Sequence, residues 1–159
     1  MSRLDTLYGN LSYYNSKVSY WSTSASQYSS QISSIDGELS NKRRQRAQAG
    51  KLQCKINELS GANTSVRDSL RSMGSTMDQL MGESSAVGAA QSLCAPNDGH
   101  ISEAQSGVNS LIARLDREIA ELEARRATAV EGLNYSNNMA SRYAGYASST
   151  RTSIANYHE

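Results

Sequence analysis

LDTLYGNLSYYNSKVSYWSTSASQYSSQISSIDGEL, residues 4–39, carries two interleaved seven-residue repeats. Leu4, Leu11, Val18, Ala25, Ile32 and Leu39 form one; Leu7, Tyr14, Trp21, Tyr28 and Ile35 form the other. All eleven positions are apolar or aromatic, while the residues between them are mostly Ser, Asn, Gln and charged groups. Such a pattern specifies one apolar seam along a helix, to be covered by a second helix, rather than the face of a round core. The rest of the chain is read as the source of that cover.

The composition agrees. Nine Tyr, one Trp and no Phe in 159 residues leave little material for a large globular core, and paired helices need only a thin stripe. The one proline, Pro96, leaves every other segment free to be helical. A formal net charge of +1 gives no global field for nucleic acid or an anionic membrane. No apolar run reaches the length of a membrane span, so no membrane insertion is expected. The opening Met-Ser-Arg-Leu-Asp-Thr lacks the apolar core of a cleavable signal peptide. The expectation is a cytoplasmic protein, with export by a route that needs no such signal left open.

Along the chain, Ser2 and Asp5 resemble a capping box that starts the first helix. The repeat is expected to shift by one residue across Lys42, Arg43, Arg44 and Arg46, and to resume with Leu52, Ile56 and Leu59. Ser60-Gly61 reads as a helix stop. A second box, Ser65 with Asp68, then starts a short helix striped by Val66, Leu70, Met73, Met77 and Leu80. Gly, Ser, Ala, Asn and Asp around Pro96 read as a mobile loop. Ser102 and Gln105 open the last helix, whose repeats are Ile112, Ile119, Leu133, Ala140, Ala147, Ile154 and Leu115, Leu122, Ala129, Ser136, Tyr143, Thr150, Tyr157. Asn63 and Arg126 are polar residues at or near seam spacing, suited to setting register.

Two pairings compete. If one straight helix covered residues 4–82 and folded back across the Pro96 loop, Lys42–Arg46 would face the uncharged stretch Asn137–Ser141. If the first helix stops near Ser60, the same basic run faces Asp116, Glu118 and Glu121, and the two tyrosine blocks, Tyr8–Tyr28 and Tyr135–Tyr157, meet. Complementary charge selects the second. The expected fold is thus a single all-α domain over residues 1–159. It is an elongated antiparallel coiled-coil hairpin of residues 2–60 against 102–157, with a short third helix at 64–82 and a flexible loop at 83–101.

Catalytic signals are sparse. His100 and His158 lack the helical spacing of a metal pair, and no cofactor is expected. The carboxylates of Asp116–Glu131 sit at the spacing of a charged, solvated helix face. Contact of Lys42, Arg43, Arg44 and Arg46 with nucleic acid competes with an intramolecular role against Asp116, Glu118 and Glu121, and the acidic match selects the latter. Cys54 and Cys94 read as two free thiols, the alternative being a disulfide tying the loop to the first helix. Tyr8, Tyr13, Tyr20, Tyr135 and Tyr146 fall outside the seam near one end, and with Trp21 they form a candidate partner-binding patch.

The phrases Tyr13-Tyr14-Asn15-Ser16-Lys17 and Leu115-Asp116-Arg117-Glu118-Ile119-Ala120-Glu121-Leu122-Glu123, on an early aromatic helix and its return helix, resemble the WxG (ESX) superfamily of bacterial type VII secretion. The closer resemblance is to the helical proteins encoded beside LXG toxins. Trp21 is followed by Ser22 and Thr23, so there is no Trp-x-Gly turn, and no Tyr precedes an acidic residue by four positions near the C-terminus. What the resemblance implies is a non-enzymatic interaction protein: an adaptor for a toxin's helical targeting domain, or a secreted subunit. The reading from a different class is a self-assembling structural coiled coil.

Overall fold

The computed structural model describes residues 3–81 and 86–157, apart from the side chains of residues 81, 86, 90 and 91. The chain is all-α, with no strand among the described residues. Helix α1 is Arg3–Met81 and helix α2 is Ala86–Ala155. The helices pack antiparallel within each of two compact units, one of residues 1–40 with 120–159 and the other of residues 41–119. No described helix is long and apolar enough to cross a membrane.

The burial pattern of α1 explains its length. Leu4, Leu7, Leu11, Tyr14, Val18, Trp21, Ala25, Tyr28, Ile32, Ile35 and Leu39 are all buried or half-buried. The same alternation of three and four then runs on through Lys42, Arg46, Ala49, Gln53, Ile56, Ser60, Asn63, Arg67, Leu70 and Gly74. The expected one-residue shift after the basic run therefore does not occur. An uninterrupted helix keeps its inward face unless an insertion resets it. Here the inward face stays fixed and only its chemistry changes, from apolar to polar. Leu52 and Leu59, expected to resume the seam, are 47% and 57% exposed.

Three further expectations are corrected. The separate helix at 64–82 is the continuation of α1, because Gly61 costs a helix only about 1 kcal/mol. Ser65 does not cap: its hydroxyl donates back to the Gly61 carbonyl at 3.1 Å. The expected loop at 83–101 is helical from Ala86 onward, and Ser102 and Gln105 lie inside α2 rather than at its start. Pro96 is accommodated inside α2 at an exposed position, four residues after the equally exposed Ser92, whose carbonyl loses its amide partner. Residues 83–85 of that loop, like Ser2 of the first capping box and His158, lie outside the described residues.

The core stripe of α2 is a single heptad position. Cys94, Ile101, Val108, Leu115, Leu122, Ala129, Ser136 and Thr150 are buried, with Tyr143 half-buried in the same series. Its companion series is only partly buried until Ala147 and Ile154, and Arg126 in that series is exposed. Tyr157, expected in the seam, is 50% exposed beyond the end of α2.

In the unit of residues 1–40 and 120–159, Tyr28 lies flat against Gly132. A Cβ there would sit 2.5 Å from the ring. By contrast, a Cβ at Gly61 would meet nothing within 4 Å. Gly61→Ala should therefore stabilise the protein by about 0.5–1 kcal/mol through helix propensity. Gly132→Ala should lower the melting temperature instead, since displacing the ring costs about 1–3 kcal/mol. Thermal unfolding followed by circular dichroism reads both; a Gly132→Ala protein that melts above the parent contradicts the packing described.

Candidate partner-binding surface

The aromatic residues gather because α1 places them on neighbouring positions of one flank. Tyr13 and Tyr20 are seven residues apart, each just before the inward positions Tyr14 and Trp21. From α2, Tyr135, Tyr143 and Tyr146 approach the same flank. One group comprises Tyr13, Tyr14, Tyr143 and Tyr146, with ring centroids 5.5 Å apart for Tyr14–Tyr146 and 6.3 Å for Tyr13–Tyr143. The other sets Trp21 edge-to-face between Tyr20, at 5.0 Å, and Tyr135, at 5.4 Å. These separations are the favourable ones for ring quadrupoles. Lys17 links the groups, with Nζ 5.5 Å from the Tyr13 ring centre and 5.9 Å from that of Tyr20.

Packing consumes only part of this surface. Tyr13, Tyr20, Tyr135 and Tyr146 remain 52%, 59%, 57% and 41% exposed. Arg142 Nε donates to the Tyr146 hydroxyl at 2.9 Å. Burial, then the neighbouring Tyr13, pushes the Tyr143 phenol above its ordinary value, so it stays neutral. The Trp21 indole Nε1–H is buried with no acceptor. A buried donor left unmet costs the fold about 1–3 kcal/mol.

Of the six residues expected to share one patch, five come together. Tyr8 does not. One residue past the inward Leu7, it falls on the opposite flank of α1, where it lines a shallow groove with Leu11, Ser12 and Asn15. A helical wheel separates it from Tyr13 by roughly 140°, a distinction that proximity in sequence hides.

The charges expected to set register meet as follows in the unit of residues 41–119. Lys42 Nζ lies 2.6 Å from Glu118 Oε2 and Arg46 Nε 3.0 Å from Asp116 Oδ1. Arg44 instead donates to Asn41 on its own helix at 3.0 Å, and Glu121 is exposed. In the other unit Arg126 Nε and Nη2 donate to the two oxygens of Asp36 at 2.6 and 3.3 Å. A polar ladder extends the match beyond the basic run. Gln53 donates to Asn109 at 2.6 Å and Gln105 to Asn57 at 3.2 Å. Asp98 accepts from Asn63 at 2.7 Å and from Arg67 at 3.1 Å.

Cys54 is exposed and Cys94 buried, both free. The ladder sets Cys54 level with Val108, fourteen residues from Cys94, or about 21 Å along the helix. A disulfide between them would need wholesale movement of the backbone. Among the described residues no cluster of His, Cys, Asp or Glu could hold a metal ion. His100 Nδ1 approaches only Glu103, at 3.9 Å on an exposed face.

Compared with protein-family models, curated proteins and solved structures, the chain matches none.

The Lys42 ammonium holds the Glu118 carboxyl below its ordinary range, ahead of smaller contributions from Arg114 and Arg117. A carboxylate with a lowered folded-state pKa stabilises the fold above its unfolded pKa, and that contribution disappears as pH falls through the folded value. The pair is partly exposed, so the effect is modest. Melting temperatures measured from neutral to strongly acidic pH should fall less in Glu118→Gln than in the parent protein. Equal acid sensitivity would show that Lys42 and Glu118 are not coupled in solution.

Proposed function

We propose that the chain is a non-enzymatic protein-interaction module, a helical adaptor that receives a partner helix on the aromatic flank of residues 1–40 and 120–159. The observation that carries this reading is the half-packed aromatic group itself. Tyr13, Tyr20 and Tyr135 keep more than half of their surface in water, around a Trp21 donor that lacks an acceptor. Rigid amphipathic rings of this kind supply large contact area at small entropic cost, and Tyr and Trp dominate interface hot spots. A partner helix offering an apolar stripe covers the exposed part of these rings.

The resemblance of Tyr13–Lys17 and Leu115–Glu123 to helical proteins encoded beside LXG toxins supplies the context. On that basis the partner is a toxin's helical targeting domain, and the process a bacterial type VII secretion-like system. The absence of a Trp-x-Gly turn at Trp21 supports adaptor rather than secreted substrate.

The test is co-purification with the helical products of neighbouring genes, followed by titration calorimetry. A stoichiometric complex is expected, and Tyr13→Ser, Tyr20→Ser and Tyr135→Ser combined should weaken it at least tenfold. Unchanged affinity in that triple variant, with helicity retained, contradicts the assignment of the surface.

A further inference from the structure

A second surface is left uncovered in the unit of residues 41–119, and it is periodic. Leu52, Leu59, Val66, Met73 and Leu80 recur every seven residues on α1 and are 47%, 57%, 53%, 62% and 81% exposed. The first four each immediately precede an inward position, namely Gln53, Ser60, Arg67 and Gly74. With Ala49, Ile56, Leu70 and the half-exposed Met77, which share a second position, they make a stripe of two positions in seven, and only the Ala49–Leu70 part of it faces α2. That is the width of one helix–helix seam, and its outer row has no helix of this unit against it. Within the unit, α2 covers only one edge of it. On the uncovered edge, Leu59, Ile56, Ile101 and Ala104 line an open groove of about 280 Å³. Leu93, 71% exposed and one turn before the groove residue Asn97, continues that edge on α2.

We infer that the occupant of this groove is the same stripe of a second copy of the chain, the two copies joining α1 to α1 about a two-fold axis at Val66. Three observations select a second copy. The stripe is symmetric about its centre: an antiparallel copy sets Val66 against Val66, Leu59 against Met73 and Leu52 against Leu80. Such self-complementarity is what an isologous interface requires. Charge is absent where it would repel. Between Leu52 and Leu80 the outer flanking positions are Lys55, Ala62, Ser69 and Thr76. Pairing about Val66 sets Lys55 opposite the uncharged Met77, and the chain's net charge is only +1. Two identical faces therefore meet without opposed like charges, whereas a foreign partner selected by charge would find nothing to match. Finally, the exposed fractions of Leu52, Leu59, Val66, Met73, Met77 and Leu80 amount to on the order of 600 Å² per copy, the lower end of what each side of a specific interface buries.

The inference concerns a different surface from the aromatic flank and does not rest on the function proposed for it. Light scattering coupled to size-exclusion chromatography of the full chain reads it directly. At about 100 µM the expected mass is twice the 17.2 kDa of one chain. Val66→Lys with Met73→Lys, both at exposed positions, should return the mass to that of one chain with helicity unchanged. The triple tyrosine variant should keep the doubled mass. Should the lysine variant lose helicity, Val66→Cys in a Cys54→Ser, Cys94→Ala background gives a second reading: air oxidation should link two chains into one band of doubled mass. A parent protein of single-chain mass, a lysine variant that stays doubled, a tyrosine variant that becomes single, or a Val66→Cys protein that does not cross-link each overturns the inference.

Discussion

The structure depends on one constraint: an inward face of α1 that repeats as three and four residues from Leu4 to Gly74 without a break. Once that face is fixed, every pairing follows from what α2 can set against it. In the unit of residues 1–40 and 120–159 the match is made by size, as Tyr28 lies on Gly132 and Trp21 sits between Tyr20 and Tyr135. In the unit of residues 41–119 it is made by polarity, through Lys42–Glu118, Arg46–Asp116 and the amide ladder down to Asp98. Exposed ion pairs of this kind contribute little each. Their value lies in excluding other registers, because a slipped pairing would leave several polar groups unmatched at once.

That division separates two kinds of surplus. Where the seam is aromatic, more ring surface is present than the two helices can bury, and the excess collects on one flank with an unmet indole donor. Where the seam is polar, the apolar residues do not vanish but move one position outward, to Leu52, Leu59, Val66, Met73 and Leu80. A helix whose inward positions include Gln53, Ser60, Asn63 and Arg67 gains little from its own partner. Its apolar residues then stay exposed. Both surfaces follow from the same arithmetic of the heptad, and they invite different occupants.

Much of this was legible in the chain alone. The first thirty-nine residues declare their seam, and the basic run with its acidic counterpart declares the antiparallel pairing. The helix ends were misread because Gly61, Pro96 and the Ser-x-x-acid boxes are local signals, each worth only about 1–3 kcal/mol, whereas a long seam outweighs any one of them. One long-range signal did extend through the expected loop: Cys94, Ile101 and Val108 continue the spacing of Leu115 and Leu122. With α2 starting at Ala86 rather than at residue 102, a continuous α1 and the charge-matched register become compatible. Tyr8 departs from the patch for a related reason, since nearness in sequence is not a shared face. The amide ladder was not legible, as Gln and Asn carry no charge pattern to announce a partner.

The register is tested most directly by spin labels at Asn57→Cys and Gln105→Cys, with Cys54 and Cys94 replaced. Facing helix axes lie about 8–10 Å apart, so the account predicts strong dipolar broadening and a label separation below about 20 Å, unchanged when labelled protein is diluted with unlabelled. Two labels that do not interact would contradict the pairing, and with it both surfaces built on it.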